Sequence, residues 1–168
     1  TIAVSGDANV IDMDNPFPVF NNGTISFVDG AADDVLTIVG DFSGEGTLQL
    51  DVGGLHGTSD RLYIDGSVIE STAQTLDLNL LDLPTTANVD IPLVLVGGDA
   101  LAGDFMLGHV QHGTGFVTMD FRLDTRIDAS NATRDIVSLG VDVTGLDDLG
   151  PLAAAIAPGA QRLVDAQV

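Results

Sequence analysis

Apolar and polar residues alternate along short runs over most of the first hundred positions. Period-two alternation places successive side chains on opposite faces of a β-strand, and Gly, Asp or Asn closes most of these runs. The pattern predicts strands at residues 24–28, 35–39, 47–52, 61–64, 75–80 and 91–96. The last run is nearly all apolar, which is typical of a strand buried on both faces. We therefore expect an all-β fold.

The length of the links between these strands helps to distinguish among all-β architectures. A two-residue hairpin turn needs a strand directly on each side, whereas residues 40–46 and 53–60 form longer, irregular links. Alternation alone leaves a sandwich, a barrel and a solenoid open, and the long links favour the solenoid. In a solenoid, inward side chains stack on those of the neighbouring coil. The expected inward rows are Leu48/Leu50/Val52, Leu62/Ile64 and Leu76/Leu78/Leu80.

Bulky apolar residues mark a different region after residue 100. Residues 104–110 and 116–123 predict an antiparallel hairpin joined by a Gly-rich link. A solenoid needs a terminal cap to cover its open end and its strand edges. We therefore expect Phe105, Met119 and Phe121 to form a structural cap.

Two further elements are predicted toward the C terminus. A second strand pair is expected at residues 126–127 and 136–143. Residues 146–168 carry the only Ala- and Leu-rich composition of the chain, which predicts short helical pieces interrupted at Pro158.

Charge narrows the possible partners. The chain has 25 Asp and Glu against 5 Lys and Arg, a formal net charge of −20. Such a surface repels phosphate backbones, so we expect no nucleic-acid partner. No apolar run approaches the ~18 residues that a membrane-spanning helix needs, so we expect no transmembrane segment.

Neighbouring carboxylates are the candidate metal ligands. Asp12, Asp14, Asp33 and Asp34 lie close together in sequence, and Ca²⁺ prefers carboxylate oxygens. The Asp-rich loop of helix–loop–helix sites and the Gly-rich nonapeptide repeat are both absent. We therefore favour solvated turn acids, expect no cofactor and no metal, and keep calcium as the one ion to test.

The remaining polar motifs do not predict an enzyme. His109 and His112 have a metal-like spacing but lie at the expected hairpin tip. His56 stands beside Ser59 and Asp60, yet a catalytic triad is assembled across a fold and not along neighbouring residues. Glycan-cleaving sites need clustered Asp with Arg or Lys, whereas this chain has no Lys and its Arg residues are scattered. We expect no catalytic residues.

Three blocks of sequence resemble one protein family. Residues 36–44 read L-T-I-V-G-D-F-S-G, residues 46–51 read G-T-L-Q-L-D, and residues 59–66 read S-D-R-L-Y-I-D-G. In this order they resemble the C-terminal passenger (pertactin-like, autochaperone) region of type V autotransporters. The resemblance continues more loosely over residues 92–96 and 116–123, and a segment resembling the entry to the translocator follows near the C terminus.

The resemblance implies a right-handed, single-stranded parallel β-helix with a C-terminal capping β-hairpin and a short helical tail. It implies a secreted, non-catalytic stem at the bacterial cell surface, exported through the periplasm and outer membrane. Such a region seeds the folding of the upstream passenger during translocation, and the cargo function, for example adhesion, lies upstream. The implied partners are the upstream passenger coils and the protein's own outer-membrane β-barrel translocator, which these 168 residues do not contain.

These expectations divide the chain into four parts. Residues 1–21 would be the edge of a longer passenger, residues 22–100 the β-helix coils, residues 101–145 the capping hairpin, and residues 146–168 a helical linker toward the barrel. Because Thr1 is not an initiator Met and no signal peptide follows, we expect a piece of a longer protein. The alternative is a calcium-dependent acidic surface-layer, matrix or adhesin protein, which the Asp excess and the missing Lys favour.

Overall fold

The computed structural model describes residues 1–6, 9–12, 17–69, 73–84, 89–112 and 118–144, and these form β-strands without a helix. The all-β prediction is confirmed, whereas the predicted helical tail lies outside the described residues. In chain order the strands are β1 (Ile2–Ala3), β2 (Asn9–Asp12), β3 (Val19–Phe20), β4 (Thr24–Ser26), β5 (Val35–Val39), β6 (Phe42–Ser43), β7 (Thr47–Gly53), β8 (Thr58–Ser59), β9 (Arg61–Ile64), β10 (Gln74–Asp82), β11 (Val89–Val96), β12 (Phe105–Gln111), β13 (Thr118–Asp128) and β14 (Asn131–Thr144).

The strands form three sheets in which most neighbours are parallel. Sheet A has the order β1-β4-β7-β10-β12, with β8 against β7; sheet B has the order β13-β14-β11-β9-β5-β2; sheet C consists of β3 and β6. The first six strands visit sheets A, B and C in that order and then repeat it. Strands in sheet A or B therefore pair with a strand from an earlier pass of the chain, except at β8 and the β13–β14 pair. No helix in the described part of the chain is long and apolar enough to cross a membrane.

Parallel register aligns the apolar residues of successive strands into rows. In sheet A, Ile25 is paired with Leu48, and Leu48 with Leu76. In sheet B, Ile38 is paired with Ile64 in the same way. All the inward residues predicted from the sequence are buried in this core. Removing each such side chain from water contributes about 1.5–3 kcal/mol, which makes the stacked rows the main source of stability.

A buried amide pair holds one corner between the sheets. Asn21 Nδ2 donates to Gln74 Oε1 at 2.8 Å, and Gln74 Nε2 donates to the Asn21 carbonyl oxygen at 3.2 Å. Both residues are buried, so each needs such a partner to offset the loss of water. Gly44 passes this corner with φ +111°, and a Cβ there would overlap the backbone of Asn21. Only glycine fits.

The C-terminal strands end the parallel arrangement. We call β13 and β14 the C-terminal hairpin; they pair antiparallel, and β14 also pairs antiparallel with β11. Val137, Leu139 and Val141 of β14 are fully buried. The second predicted strand pair is confirmed in its pairing, with Arg126 opposite Ile136.

The predicted hairpin between residues 104–110 and 116–123 is wrong. Strand β12 instead pairs in parallel with β10, with Phe105 opposite Gln74 and Leu107 opposite Leu76. The physical reason is burial, because this register extends the inward row of sheet A and lets Leu107 pack against the existing core. Residues 116 and 117 lie outside the described residues, and the strand that follows them pairs with β14.

Candidate functional site

Three buried carboxylates meet where sheet A passes into sheet B. We call Asp34, Asp51 and Asp60 the aspartate junction; each is at most 2% exposed. Asp34 and Asp60 directly precede β5 and β9, which are neighbours in sheet B, and Asp51 lies in β7. The junction thus joins residues that are far apart in sequence.

The carboxylate of Asp60 ties two backbone segments together. Its Oδ1 accepts the Asp34 N–H at 3.0 Å, and its Oδ2 accepts the Asp51 N–H at 2.7 Å. Asp51 Oδ2 in turn accepts the N–H groups of Asp29 and Gly30, at 3.0 and 2.7 Å. The carboxylates of Asp60 and Asp51 therefore satisfy backbone N–H groups that the strand ladders leave unpaired.

Burial is the largest influence on the pKa values of Asp34 and Asp60. Desolvation raises the pKa of Asp60 to about 7, against the opposing effect of its two backbone hydrogen bonds. Desolvation also raises the pKa of Asp34, whose Oδ1 accepts the Gly6 N–H. Asp34 Oδ2 is buried with no hydrogen-bond partner among the described residues. Negative neighbours add to both shifts, since Asp51 lies near both groups.

The candidate calcium ligands are not brought together among the residues that the structure describes. Asp12 is opposite Val39, five residues beyond Asp34, which places the two about 16 Å apart along the sheet. Asp33 is exposed while Asp34 is buried. Asp14 lies outside the described residues. Among the described residues, no group of three or more His, Cys, Asp or Glu side chains could hold a metal ion.

The residues that suggested a triad have separate structural roles. Ser59 Oγ donates to the Pro92 carbonyl oxygen at 2.5 Å, which links β8 to β11. Asp60 binds backbone N–H groups, and His56 is exposed in the turn after β7. The Ser59 hydroxyl is thus committed to a carbonyl and not to an imidazole, as a triad would require.

The two remaining histidines are also separated in role. His109 lies on β12, and its backbone N–H donates to Asp77 Oδ1 at 2.8 Å. The His112 ring stands 6.0 Å from that of Phe121, between centroids. The structure therefore places His112 against an aromatic side chain of β13.

The three expected cap residues lie in two different sheets. Phe105, in sheet A, is buried in the core. Met119 and Phe121, in β13 of sheet B, are half-buried and pack against that core. All three contribute apolar surface near the C-terminal part of the stack.

At the opposite end of the stack, the described part of the chain adds no further strand to the sheets. Strands β1, β2 and β3 each lie at the end of a sheet, and we call them the open edge. Large apolar side chains are exposed there or beside it, and they are Ile2, Val10, Phe17 and Phe20. An unpaired strand edge flanked by apolar side chains is a template for pairing with another strand.

The expectation that Asp34 is a solvated turn acid is wrong, because Asp34 is buried, and the burial of Asp51 and Asp60 was not predicted from the sequence either. By alternation Asp51 should face solvent between Leu50 and Val52, but the turn at Asp29 and Gly30 covers it. The one signal that the sequence offered was the Ser59-Asp60 pair, which begins the third of the blocks that resemble autotransporter passengers. No protein-family model, curated protein or solved structure matches the chain.

Proposed function

We propose that the chain is a right-handed, single-stranded parallel β-helix that acts as a non-catalytic stem and seeds the folding of further coils. The observation that carries the proposal is the asymmetry of its two ends. The C-terminal hairpin covers the core at one end, whereas the open edge at the other end leaves backbone groups and apolar side chains exposed. At β1, β2 and β3 all three sheets can therefore continue their parallel repeat into further coils, whereas at the other end sheet B changes to antiparallel pairing.

The energetics of a stack favour such growth. A coil that forms alone must fix its backbone before it buries apolar surface, whereas a coil that adds to a folded edge gains both together. The incoming strands would pair parallel with β1, β2 and β3 and cover Val10 and Phe20. This is the role that the resemblance to autotransporter passengers implies.

The location and partners of the protein follow from the same proposal. An exported stem at the bacterial cell surface would receive upstream passenger coils at the open edge. Its C-terminal end would lead to an outer-membrane β-barrel translocator. The net charge of −20 suits an extracellular surface that must stay soluble.

Matched substitutions at the two ends test the direction of folding. Val141→Ala in the C-terminal hairpin and Val4→Ala beside β1 each remove the same atoms from a buried site. We call the end of the stack that carries the C-terminal hairpin the closed end. If folding starts there, Val141→Ala slows refolding, whereas Val4→Ala mainly speeds unfolding. Stopped-flow refolding and unfolding in urea measure both rates.

Two results would contradict the proposal. A folding rate lowered by Val4→Ala and not by Val141→Ala would place the folding nucleus at the open edge. Equal effects of both changes on both rates would mean that folding has no direction along the stack, and the chain would then be only a spacer.

The calcium-dependent surface-layer protein makes a different prediction. Calcium bound to the acidic turns would raise the midpoint of thermal unfolding in proportion to its binding. For the stem, we expect millimolar Ca²⁺ to shift this midpoint no more than Mg²⁺ at equal ionic strength. A larger shift with Ca²⁺ would favour the surface-layer role.

A further inference from the structure

A polar groove of about 440 Å³ lies on the outer face of sheet A. Its polar lining comes from four successive strands of the sheet and consists of Ser26, Gln49, Asp77, Asn79, His109 and Gln111. We call these residues the polar groove. Adjacent strands lie about 4.8 Å apart, so the groove extends for about 14 Å across the sheet.

Parallel register arranges this lining in rows. Ser26 is opposite Gln49, and Gln49 is opposite Asp77. One pleat further along, Asn79 is opposite Gln111. The same register that stacks leucines inside the core therefore stacks hydrogen-bonding side chains outside it.

A bulge in β12 adds His109 to the groove. The register passes from Leu76–Leu107 to Leu78–Val110, so Gly108 and His109 together stand opposite Asp77. The extra residue keeps Leu107 and Val110 packed against the core while His109 faces outward. A Cβ at Gly108 would overlap Asp77 Oδ1 and Thr75 Cγ2, which explains the glycine. A bulge that re-aims a side chain is common beside functional sites.

Two groups of the groove are held in place by the protein. The backbone N–H of His109 donates to Asp77 Oδ1 at 2.8 Å, and Asn79 Nδ2 donates to Asp51 Oδ1 at 2.6 Å. Asp51 belongs to the buried aspartate junction and is opposite Asn79 in the register of β7 and β10, so it anchors the Asn79 amide from the neighbouring strand. Groups that are oriented in advance lose less entropy when a ligand binds.

The hydrogen-bonding groups and the charge of the lining indicate which class of ligand it can bind. Amides, a hydroxyl, a carboxylate and an imidazole both donate and accept hydrogen bonds, and the lining contains no Lys or Arg. An anionic ligand would meet no cation there and a molecule of net charge −20. The central strands β7 and β10 pair on both sides, so an extended peptide cannot add to them as a new strand.

We propose that the polar groove binds an uncharged polyhydroxylated ligand, a short neutral oligosaccharide. Sugar hydroxyls donate and accept hydrogen bonds, which matches the amide rows. A groove of this length admits a few sugar rings. This site is separate from the stem role, because it lies on the side of the stack and not at its ends.

Nuclear magnetic resonance of the full chain labelled with ¹⁵N tests the proposal. The probes are maltohexaose, cellohexaose and mannohexaose, and hexagalacturonate serves as an anionic control of equal length. We expect at least one neutral sugar to shift the side-chain amide signals of Gln49, Asn79 and Gln111 in a saturable way. Hexagalacturonate should leave these signals unchanged.

Matched variants locate the binding. Gln49→Ala/Gln111→Ala removes two amides that face the groove, and it should weaken binding by at least about tenfold, the loss of one to two hydrogen bonds. Thr37→Ala, on sheet B, should bind as the parent does. The unchanged backbone spectrum of each variant controls for folding.

Three results would overturn the proposal. The first is the absence of saturable shifts with all three neutral sugars. The second is equal binding of hexagalacturonate, which would remove the preference for an uncharged ligand. The third is a double variant that binds as tightly as the Thr37→Ala control.

Discussion

The two ends of the stack differ in the length of their strands and in the burial of their apolar side chains. At the open edge, β1, β2 and β3 contain only 2, 4 and 2 residues, and Phe20 is 61% exposed. At the other end, β13 and β14 contain 11 and 14 residues, and Leu139 is fully buried. One end has short parallel strands with exposed apolar side chains, and the other adds a long antiparallel pair to sheet B, while sheet A ends there at β12.

This difference shows how the two ends of a parallel stack can be made unequal for growth and folding. A parallel strand leaves the same kind of edge after each repeat, so the stack by itself has no natural end. The antiparallel pairing of β14 with β11 breaks this repetition in sheet B. Growth, folding and unfolding should therefore differ between the two ends, and the following changes test that difference.

The largest expected effect comes from the core of the closed end. Leu139→Ala removes a fully buried side chain and should lower the free energy of unfolding by about 3–5 kcal/mol. Phe20→Ala, at the open edge, removes a larger but exposed side chain and should cost less than about 1 kcal/mol. Urea unfolding followed by circular dichroism measures both, and equal losses would contradict the contrast between the ends.

A smaller effect is expected at the corner between sheets C and A. Gly44→Ala forces a residue with a Cβ into φ +111° and against the Asn21 backbone, and we expect a loss of about 2–3 kcal/mol. Gly103→Ala is the matched control, because a Cβ there has open space and an ordinary backbone conformation. A Gly44→Ala variant as stable as the control would mean that the corner can relax.

The aspartate junction should make stability depend on pH. Because the pKa of Asp60 is raised to about 7 in the fold and is about 3.9 when unfolded, the folded state holds a proton that the unfolded chain releases. The resulting stability is complete below pH ~4 and is lost as the pH rises through 7. Asp60 alone should contribute a slope of the unfolding free energy that approaches about −1.4 kcal/mol per pH unit between about pH 5 and 6, and the raised pKa of Asp34 adds a slope of the same sign.

The Asp60→Asn variant tests whether Asp60, and not another acid, causes the pH dependence of stability. The variant loses one acceptor for a backbone N–H and should be about 1–3 kcal/mol less stable at pH 5. Its stability should nevertheless change less between pH 5 and 8 than that of the parent. Asp99→Asn, at an exposed carboxylate, should keep the parental slope. Identical slopes in all three proteins would show that Asp60 is not the titrating group.

The smallest effect is expected on the surface of the C-terminal hairpin. Arg122 binds Asp124 at 2.9 Å and Asp142 at 2.5 Å, but all three side chains are 41–49% exposed. Arg122→Gln should therefore cost less than about 1 kcal/mol, and the loss should shrink further in 1 M salt. A loss comparable to that of Leu139→Ala would mean that charge, and not burial, holds the closed end.

Strand positions could be predicted from the sequence, whereas some strand partners could not. Each predicted strand from residue 24 to residue 96 is present, because alternation is a local property of the pleated backbone. The partner of β12 was predicted wrongly, because pairing depends on which surface buries Phe105 and Leu107. That surface exists only after β10 has stacked on β7.

The polar sites show the same limit. The carboxylates and amides can be read from the sequence, but Asp34, Asp51 and Asp60 converge from three separate positions in the chain. The bulge that turns His109 outward likewise arises because Leu107 and Val110 both pack against the core. Neither arrangement leaves a spacing pattern along the chain.

The sequence by itself therefore determined the class of fold, the strands and the residues that face the core, since these depend on neighbours within a few positions. Only the tertiary structure decided which carboxylates are buried, which end of the stack is closed and which polar side chains share a groove. These features depend on the register between distant strands, and register is set by the total burial that the stacked rows achieve together.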